Sequence, residues 1–359
     1  MDIATFDQVD RKLVHALQID GRVPFNKIAG VLGTSDSTVA RRYRRLRTAG
    51  LLRVVGSVNL ARLGYTAWTI RLQCTPDVSE AIATALARRN DTFWVHLLSG
   101  GTEVICSTQA RFQGDEDTLL LQRLSRTNRV VSVTAHSMLQ GFASPRGWSG
   151  LVALTAEQAE VIRPEPVDQD EGSVTLSEED HALLEVLSQD GRAGYGELAD
   201  ATGWSESTVK RRLMLLRRTG ILSYEVDLPV SALGYHAEAR LWMSVQPSAL
   251  ASVARSLAEH PEISFAAVTT GPTNLMASVI CRDARDLYRY LTERIGALDA
   301  VRSLETATVD RTVKRAGSIQ PSAVRPTSSY WSAARGRPTT GRPSNVAAST
   351  TRGGPPSSG

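Results

Sequence analysis

The sequence predicts an α+β chain built twice over, each copy holding three short helices followed by a strand-helix-strand-strand-helix-strand sheet. Three observations carry that prediction. Aligned without gaps, Asp10 to Tyr65 and Asp180 to Tyr235 share 21 of 56 positions, against roughly three or four for unrelated sequences of average composition. In each copy apolar residues recur at helical spacing as far as Gly50 or Gly220. Beyond those glycines the pattern changes to short strand-like runs separated by helical ones.

The first helix of each copy is announced by a capping residue, Asp7 or Ser177, and by Leu13 with Leu17 or Leu183 with Leu187 on one face. Asp20-Gly21-Arg22 and Asp190-Gly191-Arg192 read as turns. Second helices follow over Phe25 to Leu32 and Tyr195 to Thr202. The third begins after Gly33-Thr34-Ser35 or Gly203-Trp204-Ser205, where Gly can take a positive φ and Ser can cap the new helix. It ends at Gly50 or Gly220. Val39, Tyr43 and Leu46, or Val209, Leu213 and Leu216, form its buried face.

The opposite face carries Ser37, Thr38, Arg41, Arg42 and Arg45 in the first copy, and Ser207, Thr208, Lys210, Arg211 and Arg212 in the second. These side chains suit phosphate oxygens and base edges if the helix enters a major groove. A basic face alone is weak evidence, since most charge runs are simply solvated. Two shorter helices stand in front at helix-turn-helix spacing, and that decides the reading. Double-stranded DNA is therefore the expected partner.

Leu51 to Val58 then gives short extended pieces, a wing or a linking strand, before Leu63-Gly64-Tyr65 and its repeat Leu233-Gly234-Tyr235. The first sheet is expected from strands at Trp68 to Cys74, Trp94 to Leu98, Val104 to Thr108 and Val130 to His136, with helices at Val78 to Arg89 and Glu116 to Arg126. The second uses strands at Ala239 to Val245, Ser264 to Thr269, Leu275 to Cys281 and Val301 to Thr308, with helices at Ala249 to Glu259 and Ala284 to Ile295. This order is ferredoxin-like. Helices cover one face of such a sheet, so its other apolar face wants a second sheet. Between the copies, Leu151 to Arg163 reads as an amphipathic connector helix and Pro164 to Ser173 as an acidic linker.

At 359 residues and 42% hydrophobic, the chain can bury more than one core. Its start lacks a signal-peptide pattern, and no apolar run reaches membrane-spanning length, so a cytoplasmic location is expected. Cys74, Cys106 and Cys281 are too few and scattered for a disulfide framework or a zinc site. No metal or cofactor is expected. The net charge of +4 is misleading, because residues 316 to 359 hold five arginines and no acid, leaving 4 − 5 = −1 for the rest. That Pro-, Gly-, Ser- and Thr-rich tail is expected to be disordered, an inert solubiliser or a weak sequence-independent attraction to DNA.

The Asp-Gly-Arg turn, the Ser-Thr-Val-x-Arg-Arg helix start, the Leu-Arg-x-x-Gly end and the Leu-Gly-Tyr close, each followed by the split sheet, resemble the Lrp/AsnC family of transcriptional regulators. The resemblance covers residues 7 to 142 and again 177 to 315. It implies a DNA-binding regulator whose sheet domains pair into dimers and higher homo-oligomers and whose sheet-domain interfaces can hold a small effector, commonly an amino acid. The implied segments are 5–58 and 176–228 for two helix-turn-helix domains, 64–142 and 234–315 for two effector and oligomerisation domains, 143–175 for connector and linker, and 316–359 for the tail.

The family's effector region surrounds the turn between the middle strands, usually with a Gly-x-x-Asp pattern. Here the matching residues are Gly100, Gly101, Thr102 and Glu103, and Gly271, Thr273 and Asn274 around Pro272. Amides at such a turn suit a carboxylate and an acid suits an ammonium. Both copies depart from Asp, and a plain hairpin turn is the competing reading. Two sheets pairing inside one chain would mimic the family dimer and present unlike reading helices, since Met214 and Leu215 replace Arg44 and Arg45. Changing Arg41 with Arg42, or Arg211 with Arg212, is then expected to weaken one half-site each.

Two other readings compete. Siroheme decarboxylases use the same overall fold, and His96 and His136 would be the groups to move protons here; an interaction module that leaves DNA alone is the third reading. No Walker loop, HExxH, nucleophile elbow or dinucleotide fingerprint is present. A basic helix face retained in both copies favours DNA, and a non-enzymatic protein is expected.

Overall fold

The structure, a computed structural model, describes residues 6–89, 91–111, 129–143, 148–164, 174–315 and 318–319. The helix expected at Glu116 to Arg126, the acidic linker from residue 165 and nearly all of the basic tail lie outside them.

Helices α1 (Gln8–Ile19), α2 (Phe25–Leu32) and α3 (Asp36–Thr48) form the first trihelical unit. Asp7 caps α1 by accepting from the Asp10 amide while Asp10 accepts from the Asp7 amide, satisfying two orphan donors. Gly33 and Gly50, at φ +64° and +68°, supply the left-handed residues after α2 and α3. Strand β1 (Arg53–Val58) follows. The second unit repeats this plan with α6 (Glu178–Gln189), α7 (Tyr195–Thr202), α8 (Glu206–Arg218) and β6 (Leu222–Asp227). The wing-like pieces of the two copies do not fold back on their own units. β1 pairs with β6, antiparallel, in the register Gly56 to Tyr224.

The first sheet comprises β2 (Tyr65–Cys74), β3 (Thr92–Leu98), β4 (Glu103–Arg111) and β5 (Val130–Ala143), with α4 (Pro76–Ala87) packed on it. The second comprises β7 (Ala237–Val245), β8 (Ile263–Thr269), β9 (Leu275–Cys281) and β10 (Val301–Arg315), with α9 (Leu250–Ala258) and α10 (Ala284–Arg289). Tyr290–Ile295 continues α10 as a π-helical turn. The spatial orders β5-β2-β4-β3 and β10-β7-β9-β8 are the same and are ferredoxin-like. The connector helix is shorter than expected: α5 spans Ala156–Ile162, with a Thr155–Gln158 capping box.

Two strands outrun the sequence reading. β5 and β10 each continue seven residues past the expected ends, to Ala143 and Arg315. Over 130–137, β5 pairs with β2 of its own sheet; over 138–143 it pairs with β8 of the other copy. β10 likewise leaves β7 after Thr308 and pairs with β3 from Val309. The exchange closes the two sheets into one ring of eight antiparallel strands inside a single chain. Closure leaves neither β3 nor β8 as a bare edge. Ser318–Ile319 (β11) folds back on Lys314 and Arg315, so ordered chain extends past the expected boundary at 315.

The core divides accordingly. Each sheet buries its helix-covered face, for example Leu72, Leu86 and Val104 in the first and Leu241, Leu257 and Val279 in the second. Between the sheets lie Leu98, Ile105, Trp242, Met276 and Ala307. Trp242 therefore joins the two sheets. Both trihelical units and the connector share one cluster, joining Leu13 and Leu17 with Trp148, Leu183 and Leu187.

Candidate nucleic-acid interface and the cavity beneath it

On α3 the buried Val39, Tyr43 and Leu46 turn Ser37, Arg41, Arg44 and Arg45 outward. On α8 the corresponding outward residues are Ser207, Lys210, Arg211 and Met214. Thr38 and Thr208 are half-buried, and each amide is capped by the serine three residues before it, 3.2 Å away in both copies. Lys210 leans on Glu206 and on the Tyr195 ring.

Arg42 and Arg212 are placed otherwise than the sequence suggested. Arg42 Nη1 donates to Asp7 Oδ2 at 2.6 Å and to Asp10 Oδ1 at 2.9 Å, and Arg45 also reaches Asp10. Arg212 Nε donates to Asp180 Oδ1 at 2.7 Å, while its Nη2 reaches Asp180 Oδ2 and the Thr175 carbonyl. Asp10 and Asp180 are fully buried capping residues of the first helices. A carboxylate removed from water needs a cation with good geometry, and the third helix supplies it. Burial raises the Asp180 pKa, but the hydrogen bonds from Arg212 and Ser177 outweigh it and hold the group below the ordinary aspartate range.

The repeated Asp-Gly-Arg turn does more than turn the chain. Arg22 donates to the Gly191 and Ala193 carbonyls of the other copy, and Arg192 donates to those of Gly21 and Val23. Arg192 also stacks over Phe25, and Arg22 over Tyr195. Arg47 pairs with Asp190 at 2.7 Å and Arg217 with Asp20 at 2.9 Å, again reciprocally. A Cβ on Gly21 would lie 2.5 Å from the Cβ of Tyr224, so this approach requires glycine. The available signal was the arginine itself, which no turn needs.

The two turns expected to hold an effector have partners inside the chain. Gly100 and Gly101 are left-handed, at φ +69° and +84°. The Gly101 amide donates to Asp310 Oδ2 at 3.1 Å, so the carboxylate expected there comes from β10. Glu103 accepts from Arg71 Nε at 2.6 Å; Arg71 is also bidentate to Glu305 and lies 4.1 Å from the Trp242 ring centroid. Thr102 donates to the Ser99 carbonyl. In the second copy Asn274 bonds both the amide and the carbonyl of Val245, and the Thr273 carbonyl accepts from Thr269. The His136 ring packs where a Gly271 side chain would stand.

Between the sheets, beneath the trihelical pair, lies a cavity of about 340 Å³. Trp94, His96, Ser107, Gln109, Arg240 and Phe265 line it from the sheets, and Ser57, Glu225 and Val226 line it from β1 and β6. His136 is not among its lining residues. His96 Nε2 lies 2.7 Å from Arg240 Nη2 and Nδ1 lies 3.0 Å from Thr312 Oγ1. An arginine can only donate, so Nε2 accepts and the imidazole is neutral with its proton on Nδ1. Burial, then the charges of Arg240 and Arg315, push its pKa well below the ordinary histidine value. Sequence reasoning had His96 but not Arg240, which is brought to it by the strand exchange across 144 residues of chain.

Two trihelical units held face to face, each offering an outward third helix, over an eight-stranded ring, define a paired helix-turn-helix protein. Known proteins agree. Residues 6–47 and 176–217 match the AsnC-type helix-turn-helix domain, and residues 238–319 match the Lrp/AsnC ligand binding domain. An uncharacterized HTH-type transcriptional regulator of Pyrococcus abyssi is 33% identical over 136 residues, 37% of this chain and 85% of that protein. The HTH-type transcriptional regulator FL11 of Pyrococcus horikoshii is 30% identical over 142 residues, 39% of this chain and 93% of its own length. The chain belongs to the Lrp/AsnC family, in a form that carries the helix-turn-helix twice.

Among solved structures, the siroheme decarboxylase NirDL covers 86% of this chain and 93% of its own, with a TM-score of 0.58 and 16% identity. The same enzyme in complex with an iron-uroporphyrin III analogue gives 0.59. At that identity the likeness is one of fold.

Proposed function

We propose that this protein is a sequence-specific DNA-binding transcriptional regulator in which α3 and α8 enter successive major grooves and read two unlike half-sites. The carrying observation is the pairing of the two helix-turn-helix units inside one chain with different outward faces, Arg44 and Arg45 in one, Lys210 and Met214 in the other. A homodimer reads a palindrome because its halves are identical; this pair is not bound by that symmetry. Ser37, Thr38, Arg41 and Arg45, and Ser207, Thr208, Lys210 and Arg211, are the assigned contacts. Arg42 and Arg212 act through the buried carboxylates that fix each helix. Copies of the chain are expected to associate further through their sheet domains, as sedimentation would measure. The test is genome-wide occupancy of the tagged protein beside an Arg41→Ala/Arg211→Ala variant. Discrete peaks that vanish in the variant support the reading; no wild-type peaks under several growth conditions would sink it.

An enzymatic reading draws support from His96 beside Arg240 at the wall of the cavity. It is the weaker one, because both His96 nitrogens are engaged and Arg240 is held by Glu238 at 3.0 Å. A proton-transfer group needs a free nitrogen facing its substrate.

A further inference from the structure

We propose that one pair of equivalent positions, Arg44 on α3 and Met214 on α8, sets which bases distinguish the two half-sites: Arg44 reads a guanine, and Met214 packs on the methyl group of a thymine. This rests on the regulator reading.

Both helices carry the same stripe. Ser37, Ala40, Arg41 and Arg44 recur as Ser207, Lys210, Arg211 and Met214, at the i, i+3, i+4 and i+7 spacing by which a helix in the major groove presents side chains to base edges. Two of the four positions are equivalent. Ser37 Oγ lies 3.0 Å from Ser35 Oγ, and Ser207 Oγ lies 2.8 Å from Ser205 Oγ. Arg41 and Arg211 are exposed cations in both copies, suited to the phosphates that every sequence offers. Of the two positions that differ, Lys210 already has Glu206 at 3.7 Å and the Tyr195 ring as partners. Discrimination therefore falls to Arg44 and Met214.

Arg44 is available for a base. Arg42 and Arg45 are held by Asp10, Arg47 by Asp190, Arg212 by Asp180 and Arg217 by Asp20. No acid or ring engages Arg44 among the described residues. Its guanidinium presents parallel N–H donors, and O6 and N7 of guanine are the base edge that matches them.

Met214 offers the opposite chemistry. It is 58% exposed, on a helix face where its neighbours are polar. It lines a concavity with Trp204 and Leu215, beside Arg211 and Arg218. The first copy has Thr34, Arg44 and Arg45 at these three places, so the apolar surface comes from three differences together. Thymine's 5-methyl is the apolar group that base edges show in the major groove, and a thioether packs readily against it. A guanine there would lose water from O6 and N7 against a side chain with no donor.

The test begins by selecting an operator for the full chain from a random duplex library; the half bound by α8 is the one whose protection Arg211→Ala removes. Deoxyuridine, which lacks the thymine methyl, then replaces each thymine in turn, and 7-deazaguanine, which lacks the N7 acceptor, replaces each guanine. One uracil replacement in the α8 half is expected to weaken binding about fourfold, the worth of one buried methyl. At the equivalent step of the α3 half the selected base is expected to be guanine, and 7-deazaguanine there to weaken binding about tenfold. These duplexes probe the unaltered chain. Met214→Arg is expected to turn the selected thymine into guanine and to abolish the uracil effect. The same base selected at both steps, no methyl-sensitive thymine in the α8 half, or a motif unchanged by Met214→Arg would overturn the assignment and leave a sequence-specific regulator standing. A selection that enriches no site would overturn the regulator reading and the assignment with it.

Discussion

Arg22 and Arg192 exchange places across the two halves of the chain: Arg22 reaches the Gly191 and Ala193 carbonyls at 2.9 Å each, and Arg192 reaches those of Gly21 and Val23 at 2.6 and 3.1 Å. Each guanidinium thereby ends a turn in the other copy, and the reading helices cannot move apart without breaking four hydrogen bonds.

Removal of either arginine therefore weakens the pair. Arg22→Ala and Arg192→Ala are each expected to cost about 2–3 kcal/mol, since charged donors to half-buried carbonyls and ring stacking disappear together. Gly21→Ala is expected to cost a similar amount by forcing its Cβ against Tyr224 and Val54. Urea denaturation of the full chain measures all three, and changes under about 0.5 kcal/mol, the scatter of ordinary surface substitutions, would contradict this account.

Arg41 and Arg42 are neighbours with opposite duties. Arg41→Ala is expected to leave stability unchanged while lowering DNA affinity and reducing the salt slope by about one, because one phosphate is no longer neutralised. Arg42→Ala is expected to lose about 1–3 kcal/mol of stability, because Asp10 stays buried with Arg45 its one remaining cation among the described residues. Arg212→Ala should cost more, about 3 kcal/mol, as Asp180 has no second arginine among the described residues. Paired denaturation and binding curves separate the two roles.

Two unlike reading helices imply unequal half-sites. Arg41→Ala is expected to erase the footprint over one half-site first, and Arg211→Ala over the other. Equal loss over both halves from either change would mean that the two helices meet the same sequence.

His96 makes stability depend on pH. Its folded pKa lies well below the ordinary 6.5, as do, less strongly, those of His15 and His260, each lowered mainly by burial. Below 6.5 the unfolded chain takes up protons that the folded chain refuses, so stability is complete above that value and falls as the pH drops through it. The slope approaches about 1.4 kcal/mol per pH unit for each such histidine. His96→Gln, which leaves Arg240 an acceptor, should reduce the loss between about pH 7 and 5.5 by about 1 kcal/mol in urea titrations at both values. An unchanged loss would place His96 outside this effect.

The exchanged strands bear on assembly. A chain ending at Thr308 lacks the part of β10 that covers β3. An exposed strand edge of this kind seeks another, so the shortened chain is expected to form larger assemblies by sedimentation than the full chain does at the same concentration.

Local sequence determined a great deal here. Capping residues, helical spacing and the two glycines sufficed for each trihelical unit, because those signals act within a few residues. The repeat and the alternating runs determined two ferredoxin-like sheets and the outward faces of α3 and α8. Tertiary structure decided what each element meets. Nothing near Val130 to Ala143 says that its second half will leave β2 for β8, since a strand presents the same backbone groups to any partner. Arg42 and Arg41 look alike in sequence, and only the buried carboxylate of Asp10 separates them. Glu103 and the Gly101 amide looked like free ligand groups until Arg71 and Asp310 arrived from elsewhere in the chain. His96 acquired its neutral state from Arg240 in the other sheet. Helix and strand formation respond to neighbours in sequence, whereas pairing, burial and charge depend on residues far away, and those are what assemble the cavity and aim the reading helices.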